Sequence, residues 1–257
     1  MTSIYQEHAN SYYRIVKREG AIEENLTRFR HVLLKSNYSQ GPCGIAYAVQ
    51  SLYHIERSPV IPRGLDYGCG AGVFVAEIYR IQGWDVCGID SDGPLIEVAR
   101  QKFPEIANRL FVGDVLYSPL PFISENFNFV FCNSVIQHFD ETELEYALHD
   151  INRVLKHSGI FILTFKEKMS EASAAGCDRT ILSMPSSRCN EYSIQASSLG
   201  RIEKRLLRLF TLEEVLSLTG KAGLFPAFDT VSMELFPLFR YITKDGFLQT
   251  TIIMKKF

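Results

Sequence analysis

The stretch LDYGCGAG, residues 65–72, sets Gly68, Gly70 and Gly72 at alternate positions, just after Asp66. Glycine adopts positive φ freely and leaves no Cβ between the backbone and a ligand. Where such a turn opens a helix, its N–H groups and the positive dipole end suit a carboxylate or a phosphate. Two more carboxylates stand at the ends of the next apolar runs, Asp90 in WDVCGID and Asp114 in RLFVGDV. A carboxylate at the first position accepts hydrogen bonds from both hydroxyls of a ribose. One at the second can accept from an exocyclic amine such as that of adenine. An anion site, a ribose clamp and an amine acceptor therefore occur in order along the chain.

These residues need a scaffold that brings strand ends together. RGLDYG reads as a strand running into the glycines, GVFVAEIYRIQG as a helix, WDVCGID as a second strand and GPLIEVARQKFP as a second helix, with Pro94 in its first turn. RLFVGDV is a third strand, and FNFVFCNSVIQHF begins with a fourth. ETELEYALHDINRVLKHSG reads as a long amphipathic helix ended by Gly159, with Asp140 and Glu141 as its N-cap and first turn; IFILTF is a fifth strand. Short strands that are apolar on both faces and alternate with helices predict a Rossmann-like, doubly wound, mostly parallel sheet covered on both sides. In such sheets ligands bind at the carboxyl ends of the strands.

Residues 1–61 are expected to form an N-terminal helical cap, with apolar residues at helical spacing such as Ile22, Leu26, Phe29 and Leu33. Residues 62–257 are expected to form the main domain, of seven strands with an antiparallel late strand. Residues 167–209, rich in Ser and Ala, break the rhythm and read as an insertion or lid after strand five. TLEEVLSLTGKAG resumes as a helix, with Thr211 and Glu214 at capping-box spacing. TVSMELF and FLQTTIIMKK read as two late strands that pair antiparallel.

Composition narrows the class. Apolar residues make up 46% and charged residues 22% of the 257, and the formal net charge is −2. That is a globular composition with no global basic field for nucleic acid or an anionic membrane. No apolar run reaches spanning length and the N-terminus has no signal-peptide pattern, so the expected location is cytoplasmic. None of the six cysteines forms a C-x-x-C pair or a zinc-spaced cluster, so free thiols and no metal are expected.

Taken together, LDYGCGAG, GIDSD, GDV, FVFCNSVIQHF, INRVLKHSGIFILTF and FTLEEVLSLTGKAGL resemble, in order and spacing, the motifs of class I S-adenosylmethionine-dependent methyltransferases, in their small-molecule branch. The resemblance covers residues 62–257 apart from 167–209. It implies S-adenosylmethionine as cofactor. Gly68, Gly70 and Gly72 would line its methionine part, with Asp66 orienting the loop. Asp90 and Ser91 would hold the ribose, and Asp114 and Val115 the adenine. Asn133 and Ser134 would lie beside the methionine and the sulfonium. Nicotinamide dinucleotide is the poorer fit, because the third glycine sits one residue early for G-x-G-x-x-G.

Methyl transfer is an in-line displacement that needs positioning and exclusion of water. It needs a base only where the nucleophile carries a proton. His138, in NSVIQHF, is the base candidate; support of the pocket by packing is its other reading. Tyr12 and Tyr13 in SYYRIV are candidates for contact with substrate, if the N-terminal cap folds over the strand ends. RIEKRLLRLF, residues 201–210, reads as an amphipathic helix with a solvated basic face, or as a cationic wall for an acidic acceptor. Strand four is not followed by N-P-P-Y or D-P-P-Y, and no catechol-type Mg²⁺ triad is evident. The expected acceptor is a small molecule methylated on oxygen or nitrogen. A protein or tRNA methyltransferase, or a silent cofactor-binding subunit, are the competing readings.

Overall fold

The computed structural model describes residues 61–114, 118–168, 182–185, 190–196, 201–203, 208–227, 239–242 and 248–257. The expected N-terminal cap, with Tyr12 and Tyr13, and Val115 lie outside them. The elements run β1 (Arg63–Tyr67), α1 (Val73–Gln82), β2 (Asp85–Asp90), α2 (Gly93–Lys102), β3 (Leu110–Val112), β4 (Phe127–Asn133), α3 (Glu141–Val154) and β5 (Leu155–Glu167). Then come β6 (Leu182–Pro185), β7 (Asn190–Ala196), β8 (Arg201–Glu203), α4 (Leu212–Lys221), β9 (Leu224–Pro226), β10 (Phe239–Ile242) and β11 (Leu248–Lys256).

Seven strands pair in the order β10-β11-β5-β4-β1-β2-β3, and the short β9 adds to β11. From β5 to β3 every pairing is parallel; β11 is antiparallel to β5, β9 and β10. The doubly wound sheet with an antiparallel late strand is therefore as the alternating pattern predicts. The order reverses at β1, whose neighbours are β2 and β4, so the switch point lies where β1 runs into the glycines.

The continuously apolar strands are explained by two packed faces. Along β4, Val130 and Cys132 join a cluster with Leu144, Leu148 and Ile151 of α3 and Val215 and Leu218 of α4. The intervening Phe129 and Phe131 join Phe74, Val75 and Ile78 of α1 and Leu95 and Ile96 of α2. Phe74 stacks on Phe131 with ring centroids 4.3 Å apart. Burial of this kind stabilises by about 25 cal/mol per Å² of apolar surface, and here both faces of the sheet contribute it.

The predicted caps form. Thr211 and Asp140 each accept from the backbone N–H three residues on, and Glu214 and Glu143 reach back to complete two capping boxes. Cys69, Cys87 and Cys132 are free and buried, as expected. No helix among the described residues is long and apolar enough to cross a membrane.

Three expectations are corrected. The helix after β4 ends at Val154, not at Gly159. Leu155 already pairs with Phe127, and the ladder resumes only at Ile160 opposite Phe129. Ser158, at φ 61, makes the intervening bulge, so KHSG belongs to a strand irregularity and not to a helix end. RIEKRLLRLF does not begin as a helix, because Arg201–Glu203 is β8, paired antiparallel with β7 in a separate sheet of order β6-β7-β8. The described residues of the insertion form antiparallel strands, and β5 extends through Glu167, the first residue assigned to the insertion. Of the late strands, FLQTTIIMKK forms β11, while its antiparallel partner is β10, after TVSMELF, whose residues 230–236 lie outside the described set.

Candidate functional site

The glycine loop is strapped to the end of β2. The N–H groups of Gly68 and Cys69 both donate to the Ile89 carbonyl, at 2.9 and 3.0 Å. Gly70 N–H donates to Asp90 Oδ2 at 2.7 Å, and Asp92 N–H donates to Oδ1 at 3.0 Å. The Asp90 carbonyl accepts from Gly113 N–H at 3.0 Å, which fixes the end of β3 to the same point. Asp90 therefore joins the carboxyl ends of three parallel strands. A carboxylate has about four acceptor positions, so two backbone donors are compatible with ribose binding on the same group.

The three glycines have different reasons to lack side chains. Gly68 has φ +74, and a Cβ there would lie 2.5 Å from Val135 Cγ2. Val135, just after β4, already fills the space that a side chain at 68 would take. Gly72, at φ +70, would place a Cβ 3.2 Å from Leu110 and 3.4 Å from Ala99, so it brings the start of α1 close to β3 and α2. This is the close helix–strand packing that glycine at this position permits. Gly70, at φ 52, presents its N–H to Asp90. The α1 N-terminus has no side-chain cap and no acidic residue in its first turn, which leaves its electrostatics favourable to an anion.

The turn after β4 closes the other side. Asn133 ends the strand, and Ser134 adopts φ 56, uncommon for a residue with a side chain. Ser134 N–H donates to the Thr164 carbonyl of β5 at 2.9 Å, and its Oγ accepts from Gln249 Nε2 of β11 at 2.8 Å. A 3-10 turn, Ile136–His138, follows, with all three residues buried. Its Gln137 carbonyl accepts from Arg208 N–H at 2.9 Å. The segment 208–210 runs beside the end of β5, with Phe210 N–H donating to the Lys166 carbonyl and Lys168 N–H to the Phe210 carbonyl. Asn133 Oδ1 and Gln137 Oε1 are buried and have no hydrogen-bond partner among the described residues.

Asp66 is buried at the centre of the edge. Desolvation raises its carboxyl well above the usual carboxylate range, and the charge of Asp90 pushes the same way. Burial likewise raises the thiols of Cys69 and Cys132, with Asp66 adding to both, so neither has the thiolate character of a nucleophile. Cys87 is raised by burial as well.

The structure brings Asp66, Gly68, Gly70, Gly72, Asp90, Ser91, Asn133, Ser134 and His138 to the carboxyl ends of β1, β2 and β4. Asp114, exposed, follows the end of β3 at that same edge. Among the described residues no group of three or more His, Cys, Asp or Glu could hold a metal ion. Sequence reasoning missed Asp92, which caps α2 by accepting from Leu95 N–H and also braces Asp90. The signal was present, since an aspartate two residues before Pro94 is an N-cap pattern. It also missed Val135, Gln137 and Gln249, whose parts depend on contacts between distant strands.

Residues 65–163 match the family model of a methyltransferase domain. The chain is 32% identical over 121 residues to the uncharacterized methyltransferase YodH of Bacillus subtilis strain 168, covering 47% of this chain and 50% of that protein. It is 29% identical over 104 residues to the demethylmenaquinone methyltransferase of Chlorobaculum parvum, covering 40% of this chain and 39% of that one. The chain spans half or less of the length of these curated relatives. Among solved structures, the 1,6-didemethyltoxoflavin-N1-methyltransferase of Burkholderia thailandensis, which holds 1,6-didemethyltoxoflavin and S-adenosylhomocysteine, aligns with a TM-score of 0.57 at 18% identity. That alignment covers 96% of this chain and 89% of that one, and at such identity it speaks for the fold.

Proposed function

We propose that this chain, whose residues 65–163 match a methyltransferase domain, is a class I S-adenosylmethionine-dependent methyltransferase that transfers the methyl group to an oxygen or nitrogen of a small-molecule acceptor. The observation that carries the reading is Asp90. Its carboxylate is aimed by the N–H groups of Gly70 and Asp92, at the edge where the glycine loop meets the turn after β4. Asn133 supports it, since its buried Oδ1 has no donor among the described residues and suits one from a ligand, such as the α-ammonium of the methionine part.

Bound S-adenosylmethionine supplies an electrophilic methyl on a sulfonium, whose positive charge is lost as the methyl leaves. The residues of the chain bind and orient. Asp90 and Ser91 hold the ribose, Asp114 the adenine amine, and the glycine loop with Asn133 and Ser134 the methionine part. Asp66, which precedes the loop and is buried, orients it. His138, buried in the turn beside this edge, takes the proton of an acceptor that carries one at neutral pH. A small molecule as acceptor is supported by the names of two proteins this chain resembles, which specify demethylmenaquinone and 1,6-didemethyltoxoflavin. The same reading takes the enzyme as cytoplasmic.

Calorimetry with S-adenosylmethionine and with NAD tests the cofactor, and turnover against a panel of phenols, amines and carboxylates tests the chemistry. At a ligand concentration about 100 times its dissociation constant, S-adenosylmethionine should stabilise the fold by roughly 2.7 kcal/mol. Binding of NAD alone would refute the assignment. Binding of S-adenosylmethionine without consumption across the panel would favour a silent cofactor-binding subunit.

A further inference from the structure

We infer that Gln249 is a positioning residue for the cofactor site, acting through Ser134. The inference rests on the reading that S-adenosylmethionine binds beside the turn after β4. Ser134 holds φ 56, a conformation that glycine adopts freely and a residue with a Cβ adopts rarely. Its neighbours on both sides touch the site. Asn133 carries a buried Oδ1 without a donor among the described residues, and Val135 occupies the space over Gly68. Rotation of the backbone at 134 would therefore displace both the orphan acceptor and the residue that supports the glycine loop.

Two contacts hold the rotation in place. The Ser134 N–H is bound by the Thr164 carbonyl, which a neighbouring strand supplies to almost any residue here. The side chain is bound, among the described residues, by Gln249 Nε2 at 2.8 Å. Gln249 sits near the start of β11, opposite Lys166 of β5, and is itself buried. The antiparallel direction of β11 explains why a residue so late in the chain can reach this turn. A parallel strand would bring its carboxyl end to the edge, whereas β11 brings its beginning. Next to Gln249, Thr250 donates from Oγ1 to Glu167 Oε2 at 2.5 Å and Thr251 Oγ1 lies 3.2 Å from Thr164 Oγ1, so side-chain hydrogen bonds fix the register of β11 on β5. The amide of Gln249 is thus delivered to Ser134 by a fixed frame.

The test is a set of variants read by calorimetric affinity for S-adenosylhomocysteine, with the urea unfolding midpoint measured on the same proteins. Gln249→Met keeps the length and removes the donor, and should weaken binding roughly three- to tenfold. The loss should disappear when Gln249→Met is made in a Ser134→Gly or a Ser134→Ala background, because the Oγ partner is already gone. Between those two backgrounds, Ser134→Gly should bind more tightly than Ser134→Ala, since only the alanine resists positive φ. Unchanged affinity in Gln249→Met, with only a lower unfolding midpoint, makes Gln249 a structural residue and overturns the inference. So does an undiminished loss in the Ser134→Gly background, which would mean that Gln249 touches the ligand itself. If the unaltered protein binds no S-adenosylhomocysteine, the cofactor reading fails first and the inference falls with it.

Discussion

Gly68→Ala is the sharpest probe of the glycine loop, because the structure separates its cost into two parts. The first is backbone. Gly68 holds φ +74, and a left-handed conformation costs a residue with a Cβ about 1–2 kcal/mol. The second is space. The new methyl would lie 2.5 Å from Val135 Cγ2 and 3.0 Å from Cγ1, and overpacking of a tight site costs about 1–3 kcal/mol. The sum, about 2–5 kcal/mol, is a large share of the roughly 5–15 kcal/mol that holds a typical domain together. Urea denaturation followed by circular dichroism measures it. Val135→Ala removes both Cγ atoms and so should relieve the second part alone. In a double-mutant cycle, Gly68→Ala should cost about 1–3 kcal/mol less in the Val135→Ala background than in the wild type. The backbone part, about 1–2 kcal/mol, should remain. Strictly additive losses would refute the reasoning, because they would mean that Val135 is not what requires a glycine at 68.

Two further predictions concern the carboxylates. Asp90→Asn leaves one of two backbone N–H groups facing an amide donor and removes the charge from the ribose contact, so affinity for S-adenosylmethionine should fall at least about tenfold by calorimetry; an unchanged affinity would place the ribose elsewhere. Asp66→Asn tests the buried carboxyl through pH. A carboxyl raised in the folded state contributes stability below its unfolded pKa, about 3.9, and loses that contribution as pH rises through the folded value. The wild type should therefore lose stability relative to Asp66→Asn as pH rises above about 4, by roughly 2–4 °C in Tm for each kcal/mol. A difference in Tm that stays constant between pH 5 and pH 8 would show that Asp66 does not carry the raised pKa.

What could be read in the sequence was what local rules decide. The parallel sheet followed from strands that are apolar on both faces, and β4 displays the cause, with Val130 and Cys132 packing to one side and Phe129 and Phe131 to the other. The glycines and Asp90 were legible because turn, backbone approach and strand end each leave a residue-level mark. The helix that stops at Val154 was not, because the residues after it remain compatible with helix and only pairing of Leu155 with Phe127 draws them into the sheet. Arg201–Glu203 went the same way: the cations interleaved with apolar residues across 201–210 suit an amphipathic helix, and pairing with β7 decides otherwise. Gln249 left no mark at all, since its partner Ser134 lies in the turn after β4 and its own position depends on β11 running antiparallel.

The position of the insertion follows from the same edge. The chain leaves β5 at Lys168 and returns at Arg208, and the hydrogen bond from Lys168 N–H to the Phe210 carbonyl ties departure to return. Arg208 N–H then binds the Gln137 carbonyl, so the returning chain is fixed to the turn that also carries Asn133, Ser134 and His138. An excursion closed at its base costs little more chain entropy as it lengthens, because the closure cost grows only with the logarithm of length. The sheet therefore places no strong limit on the length of what stands between Lys168 and Arg208, while it holds the base beside Asn133, Ser134 and His138.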